Sequence, residues 1–265
     1  MQQAVRERAR PRPASPPAPR CSQRTLFLWA AALLLAGDAL FWTLYAQVQT
    51  TSGLVLLDGP VHDALLGICG PFLTALAGAV SAATSPLLIS VVCVGFCVAW
   101  WIRGRELWRP AVLLFAMAFT EVVTTAAKEW VARPRPPARD FLLGPEDALS
   151  FPSGHTAGTT VVLFALAYFV ASRSGRRSTA VLAPPAAVAG TLLVAFSGVY
   201  LGYHWMSDVV ASFGLGQAVT AIVVFADAVR RGSEGADPGG AISDPAASRG
   251  AISGGAISGG ARRSG

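Results

Sequence analysis

The chain has 265 residues, 53% of them hydrophobic and only 14% charged, with a formal net charge of +6 at pH 7. The apolar residues gather into runs of about twenty, the length that crosses a hydrocarbon core, so no sizeable soluble domain remains and the chain reads as one polytopic membrane domain with two tails. The basic balance does not indicate nucleic acid, because the arginines stand at the ends of apolar segments, where topology signals lie. Cysteine usage says little: Cys93 and Cys97 lie one helical turn apart inside an apolar run, which fits small packing residues better than a disulfide or metal framework.

Residues 1–24 hold six Arg and five Pro and cannot bury a core, which predicts a disordered basic tail. The run from Leu26 to Tyr45 is too long for a signal-peptide core and lacks a small-residue cleavage site, so it is expected to be a retained first span. Residues 47–85 carry no Lys or Arg but two acids, Asp58 and Asp63, and the stretch from Val61 to Val80 is broken by Gly and Pro. That stretch is expected to dip into the interface or fold back. Clearer spans follow at about 86–102, 110–127, 155–172, 180–198 and 207–229, giving an all-α bundle of six transmembrane helices over 25–230. The remainder, 231–265, repeats GAIS at 240, 250 and 255 and reads as a flexible Gly/Ser-rich tail.

Six spans put both termini on one side, and the cations say which. Fourteen arginines fall in the N-terminal tail, around 103–109, around 173–177 and at 230–231; the other side holds only Lys128, Arg133, Arg135 and Arg139, all in one loop. The positive-inside rule then makes both termini cytoplasmic and these four cations the exception. Attraction to lipid headgroups would account for them; so would an anionic ligand. Lys128 is the only lysine in the protein.

Two further segments fall on the same expected outer face: FPSGHTAG (151–158) and SGVYLGYHWMSD (197–208), which contain His155 and His204, two of the three histidines. Ser153 is placed to cap a helix, Gly154 lets backbone approach a ligand, and the unpaired N–H groups of a helix start attract phosphate. His155, in the first turn, is placed to act as a general acid. His204 and Asp208 are four apart, so on one helical face the carboxylate would hold one ring proton and leave the other nitrogen free to attack. Lys128 and Arg135 flank a proline-rich exit from a helix, the one a point charge and the other a fork for phosphoryl oxygens.

Lys, six residues, Arg-Pro; Pro-Ser-Gly-His; and Ser, six residues, His, three residues, Asp: in this order the motifs closely resemble the type-2 phosphatidic-acid phosphatase family, related to haloperoxidases. The resemblance spans about residues 26–229. It implies an integral-membrane, bacterial lipid phosphatase acting on a substrate such as phosphatidic acid, phosphatidylglycerol phosphate or undecaprenyl diphosphate at the outer face. It also implies His204 as the nucleophile oriented by Asp208, His155 as the acid, and Lys128, Arg135, Ser153 and Gly154 as phosphate ligands, with no cofactor and no metal. Arg133, Arg139, Ser197 and Glu121 are expected as supporting residues around the site. Where the family carries Arg after this serine the chain has Gly198; the vacant place either leaves a slow enzyme or is filled by Arg139 or Arg133 reaching in, and the second is the expectation. A lipid-linked phosphotransferase using the same site, and a lipid-phosphate binding or transport protein that has lost turnover, remain alternatives.

Overall fold

The structure, a computed structural model, describes residues 22–174 and 176–236. Most of the expected N-terminal tail, and the expected C-terminal tail beyond Ala236, lie outside the described residues. Eight α-helices are found among those described: α1 Gln23–Thr50, α2 Asp58–Leu66, α3 Pro71–Ala83, α4 Pro86–Gly104, α5 Trp108–Val131, α6 Gly154–Ser174, α7 Arg177–Tyr200 and α8 Met206–Ala236. Six of them, all but α2 and α3, are long and apolar enough to cross a membrane.

Local chemistry marks the helix starts. Ser22 accepts the N–H of Thr25 at 3.1 Å to cap α1, and Ser85 accepts that of Leu88 at 3.4 Å with Pro86 as the first residue of α4. α1 continues five residues past the expected Tyr45, until Thr51 turns left-handed with φ 48°. α8 likewise runs to Ala236, into what composition assigned to the tail. There Gln23 of α1 donates to the carbonyl of Ala228 at 3.3 Å, so contact between the two helices supports a glycine-containing end that propensity alone disfavours.

α1 and α8 approach closely at their middles: a Cβ on Gly37 would lie 2.5 Å from the carbonyl oxygen of Gly214, and one on Gly214 2.8 Å from that of Gly37. Small residues at such crossings let helices gain dispersion contact where lipid supplies no hydrophobic driving force. The expected dip at Val61–Val80 becomes two short helices; α3, at 13 residues, is too short to span and packs on α7.

The antiparallel helices place the C-termini of α5 and α7 and the N-termini of α6 and α8 at one end, with α2 and α3 beside them. At the opposite end buried Asp227 accepts from Arg109 at 3.2 Å and from Tyr168 at 2.8 Å, while Glu106 meets Arg173 at 2.7 Å. This polar clasp ties α5, α6 and α8 together and leaves the first end to carry the candidate site.

Candidate active site

The exit from α5 sets the geometry. Ala132 takes a left-handed conformation (φ 49°), its N–H closing on the carbonyl of Lys128 at 2.8 Å, and the prolines at 134, 136 and 137 keep the chain extended thereafter. Arg133 and Arg135 are thereby turned inward, whereas Arg139 is 83% exposed and meets Asp140 at 3.7 Å. Between α7 and α8 the chain turns at Gly202 (φ 80°), where a Cβ would fall 2.7 Å from the carbonyl oxygen of Asp140; only glycine meets both demands. The carbonyl of Gly198 accepts the N–H groups of Tyr203 and His204 at 3.1 and 3.2 Å, fixing the approach of the histidine.

His204 is buried just ahead of α8, with Asp208 in that helix's first turn. Its Nδ1 lies 2.9 Å from the carbonyl oxygen of Ser150 and 3.8 Å from Oδ2 of Asp208. The expectation that Asp208 takes the ring proton is therefore corrected: α8 begins at Met206, so the two residues do not share a helical face, and Ser150 is the nearer acceptor. A carbonyl only accepts, so Nδ1 carries the hydrogen and Nε2 keeps its lone pair. Asp208 instead organises the surroundings, accepting the N–H of Trp205 at 2.9 Å, the hydroxyl of Ser150, and Nη1 of Arg133. Burial is the main influence on His204 and holds its pKa below the ordinary histidine value, against the opposing pull of Asp208.

His155 stands in the first turn of α6, whose start is capped by Ser153: its Oγ accepts the N–H of Thr156 at 3.4 Å, and its own N–H donates to Ser212 at 2.7 Å. Gly154 and His155 open the helix, where no intrahelical acceptor precedes them. A Cβ on Gly154 would meet nothing nearer than Pro86 at 3.8 Å, so the space beside this backbone is open. His155, His204, Arg135, Ser197 and Gly198 line a cavity of about 340 Å³, closed by Tyr203, Glu146, Val194 and the α3–α4 turn through Ser81, Ala82, Ser85 and Pro86. Arg135 donates to the carbonyls of Ala148 and Tyr203 and has Glu146 at 3.6 Å; Lys128 donates to the carbonyl of Leu149. Both cations thus brace the segment that leads to Ser150, and Lys128 is not among the residues lining the cavity.

The expected substitute for the missing arginine is not found. Arg139 points away, and Arg133 is engaged with Asp208, Ser207 and Asp58. Glu121 lies deeper, its Oε1 3.8 Å from where a Cβ on Gly158 would sit. Trp205 donates its indole N–H to the carbonyl of Pro134 at 3.0 Å, with the Arg133 guanidinium 5.8 Å from its ring centre. Sequence reasoning missed Ser150, whose role runs partly through a carbonyl that every residue possesses, and Asp58 on α2, which carries no motif. The absence of Lys and Arg from 47–85, with acids opposite a basic loop, was the one signal pointing to Asp58.

A six-span helical bundle with a histidine- and arginine-lined polar cavity at one end defines a multi-pass membrane protein. The family model for the PAP2 superfamily matches residues 109–231. The chain is 29% identical over 185 residues to phosphatidylglycerophosphatase B of Bacillus subtilis (strain 168), covering 67% of this chain and 86% of that protein. It shares its fold with the crystal structure of a transmembrane PAP2 type phosphatidylglycerolphosphate phosphatase from Bacillus subtilis, at a TM-score of 0.64 and 22% identity over 76% of this chain and 96% of that one. The family match and the fold likeness both fall on the PAP2 superfamily.

Because burial disfavours the imidazolium, His204 is expected to stay neutral as pH falls through about 6.5, where an unperturbed histidine half-protonates, and to gain its proton only at lower pH. A histidine-labelled NMR titration in detergent, assigned with His204→Gln, reads this directly. A His204 resonance titrating at or above the ordinary value would contradict it.

Proposed function

We propose that the protein is an integral-membrane lipid phosphatase that forms a phosphohistidine on His204. The observation that carries this reading is the hydrogen bond from His204 Nδ1 to Ser150, which leaves Nε2 unprotonated on a ring that lines the same cavity as His155 and Arg135. Nε2 attacks phosphorus, the bond to the leaving oxygen breaks, and His155 supplies that oxygen with a proton. Phosphorylation makes the His204 ring cationic, and the Asp208 carboxylate, 3.8 Å from Nδ1, stabilises it. Water then attacks the phosphohistidine and releases phosphate. Arg135 and the backbone N–H groups at Gly154 and His155 hold the phosphoryl oxygens, with Ser153 capping that helix start and Lys128, behind the wall, adding positive potential while it steadies the segment before Ser150. The nucleophile is an imidazole nitrogen, so no metal is needed to create it.

The relative from Bacillus subtilis is named for phosphatidylglycerol phosphate, which makes that lipid the first candidate substrate, with phosphatidic acid and undecaprenyl diphosphate next; the lipid tail reaches the cavity between helices. The site faces outward in this reading, because Arg103, Arg105, Arg109, Arg173, Arg176, Arg177, Arg230 and Arg231 all lie at the other end of the bundle.

Phosphate release by purified protein from a panel of lipid phosphates and diphosphates tests the reading. His204→Ala is expected to remove essentially all turnover, and EDTA to leave it intact. His155→Ala should slow lipid substrates by about 10²- to 10⁴-fold and spare an aryl phosphate, whose leaving group needs no proton. Activity lost in EDTA and restored by a divalent ion, or a His204→Ala variant that still turns over, contradicts the mechanism. Label passed to an added alcohol rather than to water would make the protein a phosphotransferase.

Gly198 predicts a slow enzyme. A Cβ there would meet only His204 Cδ2, at 3.4 Å, so an arginine can be accommodated facing the cavity. A charge-assisted hydrogen bond to phosphate contributes about 1.5–3 kcal/mol, and Gly198→Arg is therefore expected to raise kcat/KM by about 10- to 150-fold. An unchanged or lowered kcat/KM would mean that this wall does not face the phosphoryl group.

A further inference from the structure

α2 lies outside the residues matched by the PAP2 family model, yet its first residue enters the site's buried polar network. Asp58 is 4% exposed. Its Oδ1 accepts the N–H of Ser207 at 2.9 Å, and its Oδ2 accepts the Ser207 hydroxyl at 2.6 Å and Nη2 of Arg133 at 2.6 Å. The other prong of the same guanidinium, Nη1, donates to Asp208 and to Ser207 Oγ, the latter at 2.7 Å. One cation therefore bridges two buried carboxylates, and Ser207, the chain neighbour of Asp208, is bonded to both Asp58 and Arg133. Neither Asp58 nor Arg133 lines the cavity that holds His204.

We propose that Asp58, acting through Arg133, is a positioning residue for Asp208 and hence for His204; this rests on His204 being the nucleophile. A guanidinium is a rigid planar fork, so fixing one prong on Asp58 aims the other at Asp208. Asp58 also shares the charge of Arg133. With that acid neutral, Asp208 would face the whole cation alone and would have less negative potential to offer the His204 ring as it becomes positive. A second contact holds the same helix on the site: His62 of α2 lies 3.3 Å from Asp140, whose carbonyl presses on Gly202 in the loop leading to His204. α2 is thus a brace under both loops that carry the chemistry.

The test is a double-mutant cycle on the full-length protein in detergent, with one lipid phosphate as substrate. Asp58→Asn is expected to lower kcat by about 10- to 100-fold, the scale for losing a partner that orients a functional group, and to leave KM within about twofold because the residue does not touch the cavity. In an Asp208→Asn background the same change should cost less than about threefold, since the residue through which it acts has lost its charge. A purely structural role would multiply through both backgrounds, and that outcome, an effect on KM alone, or no effect at all overturns the proposal. Should Asp58→Asn fail to yield folded protein by thermal melt, Arg133→Lys decides, since it keeps a cation but cannot fork: the same split and non-additivity are expected, and multiplicative losses overturn it. Wild-type protein that releases no phosphate removes the phosphatase reading and this inference together, whereas an active wild type with additive losses removes this inference alone.

Discussion

The site depends on one hydrogen bond, from Nδ1 of His204 to the carbonyl of Ser150. A histidine ring has two similar nitrogens, and an unconstrained imidazole distributes its proton between them. Tying one to a main-chain acceptor selects the tautomer, orients the ring and leaves a lone pair in a known place. Holding that acceptor still requires much of the rest. The Ser150 N–H donates to the Arg133 carbonyl at 2.9 Å, its hydroxyl donates to Asp208, and the carbonyls of Ala148 and Leu149 just before it are gripped by Arg135 and Lys128. The single lysine thus bears on the position of a carbonyl as well as on the charge of the cavity.

Burying this many polar groups at the end of an apolar bundle is favourable only if each finds a partner, since an unpaired buried charge costs far more than its hydrogen bond returns. Asp58, Asp208, Arg133, Ser207 and Ser150 satisfy one another within a few ångströms. The Asp227 clasp solves the same problem at the other end, and between the two the helices pack on small residues such as Gly37 and Gly214. The two charged networks thus sit at opposite ends of the bundle.

The spans were legible because twenty-residue apolar runs have little other use, and the ends of α1 and α8 were not, because Gln47 and Gly232 read as polar or breaking residues until helix–helix contact is counted. The three motifs located the cavity. They did not show which of the cations at 133, 135 and 139 turn inward, a choice made by the left-handed turn at Ala132 and the prolines after it. Nor did four-residue spacing describe His204 and Asp208, because the histidine precedes the helix rather than joining it. Asp58 meets Ser207 across 149 positions of sequence, a pairing that no local pattern encodes.

Trapping the phosphoenzyme tests most directly whether phosphate passes through His204. Purified protein mixed with a ³²P-labelled lipid phosphate and quenched in alkali within the first turnover should carry label that is stable to base and labile to acid, and peptide mapping should place it on His204. Labelled protein whose phosphate is base-labile or maps to another residue, or turnover with no protein-bound label in the burst phase, would contradict the account.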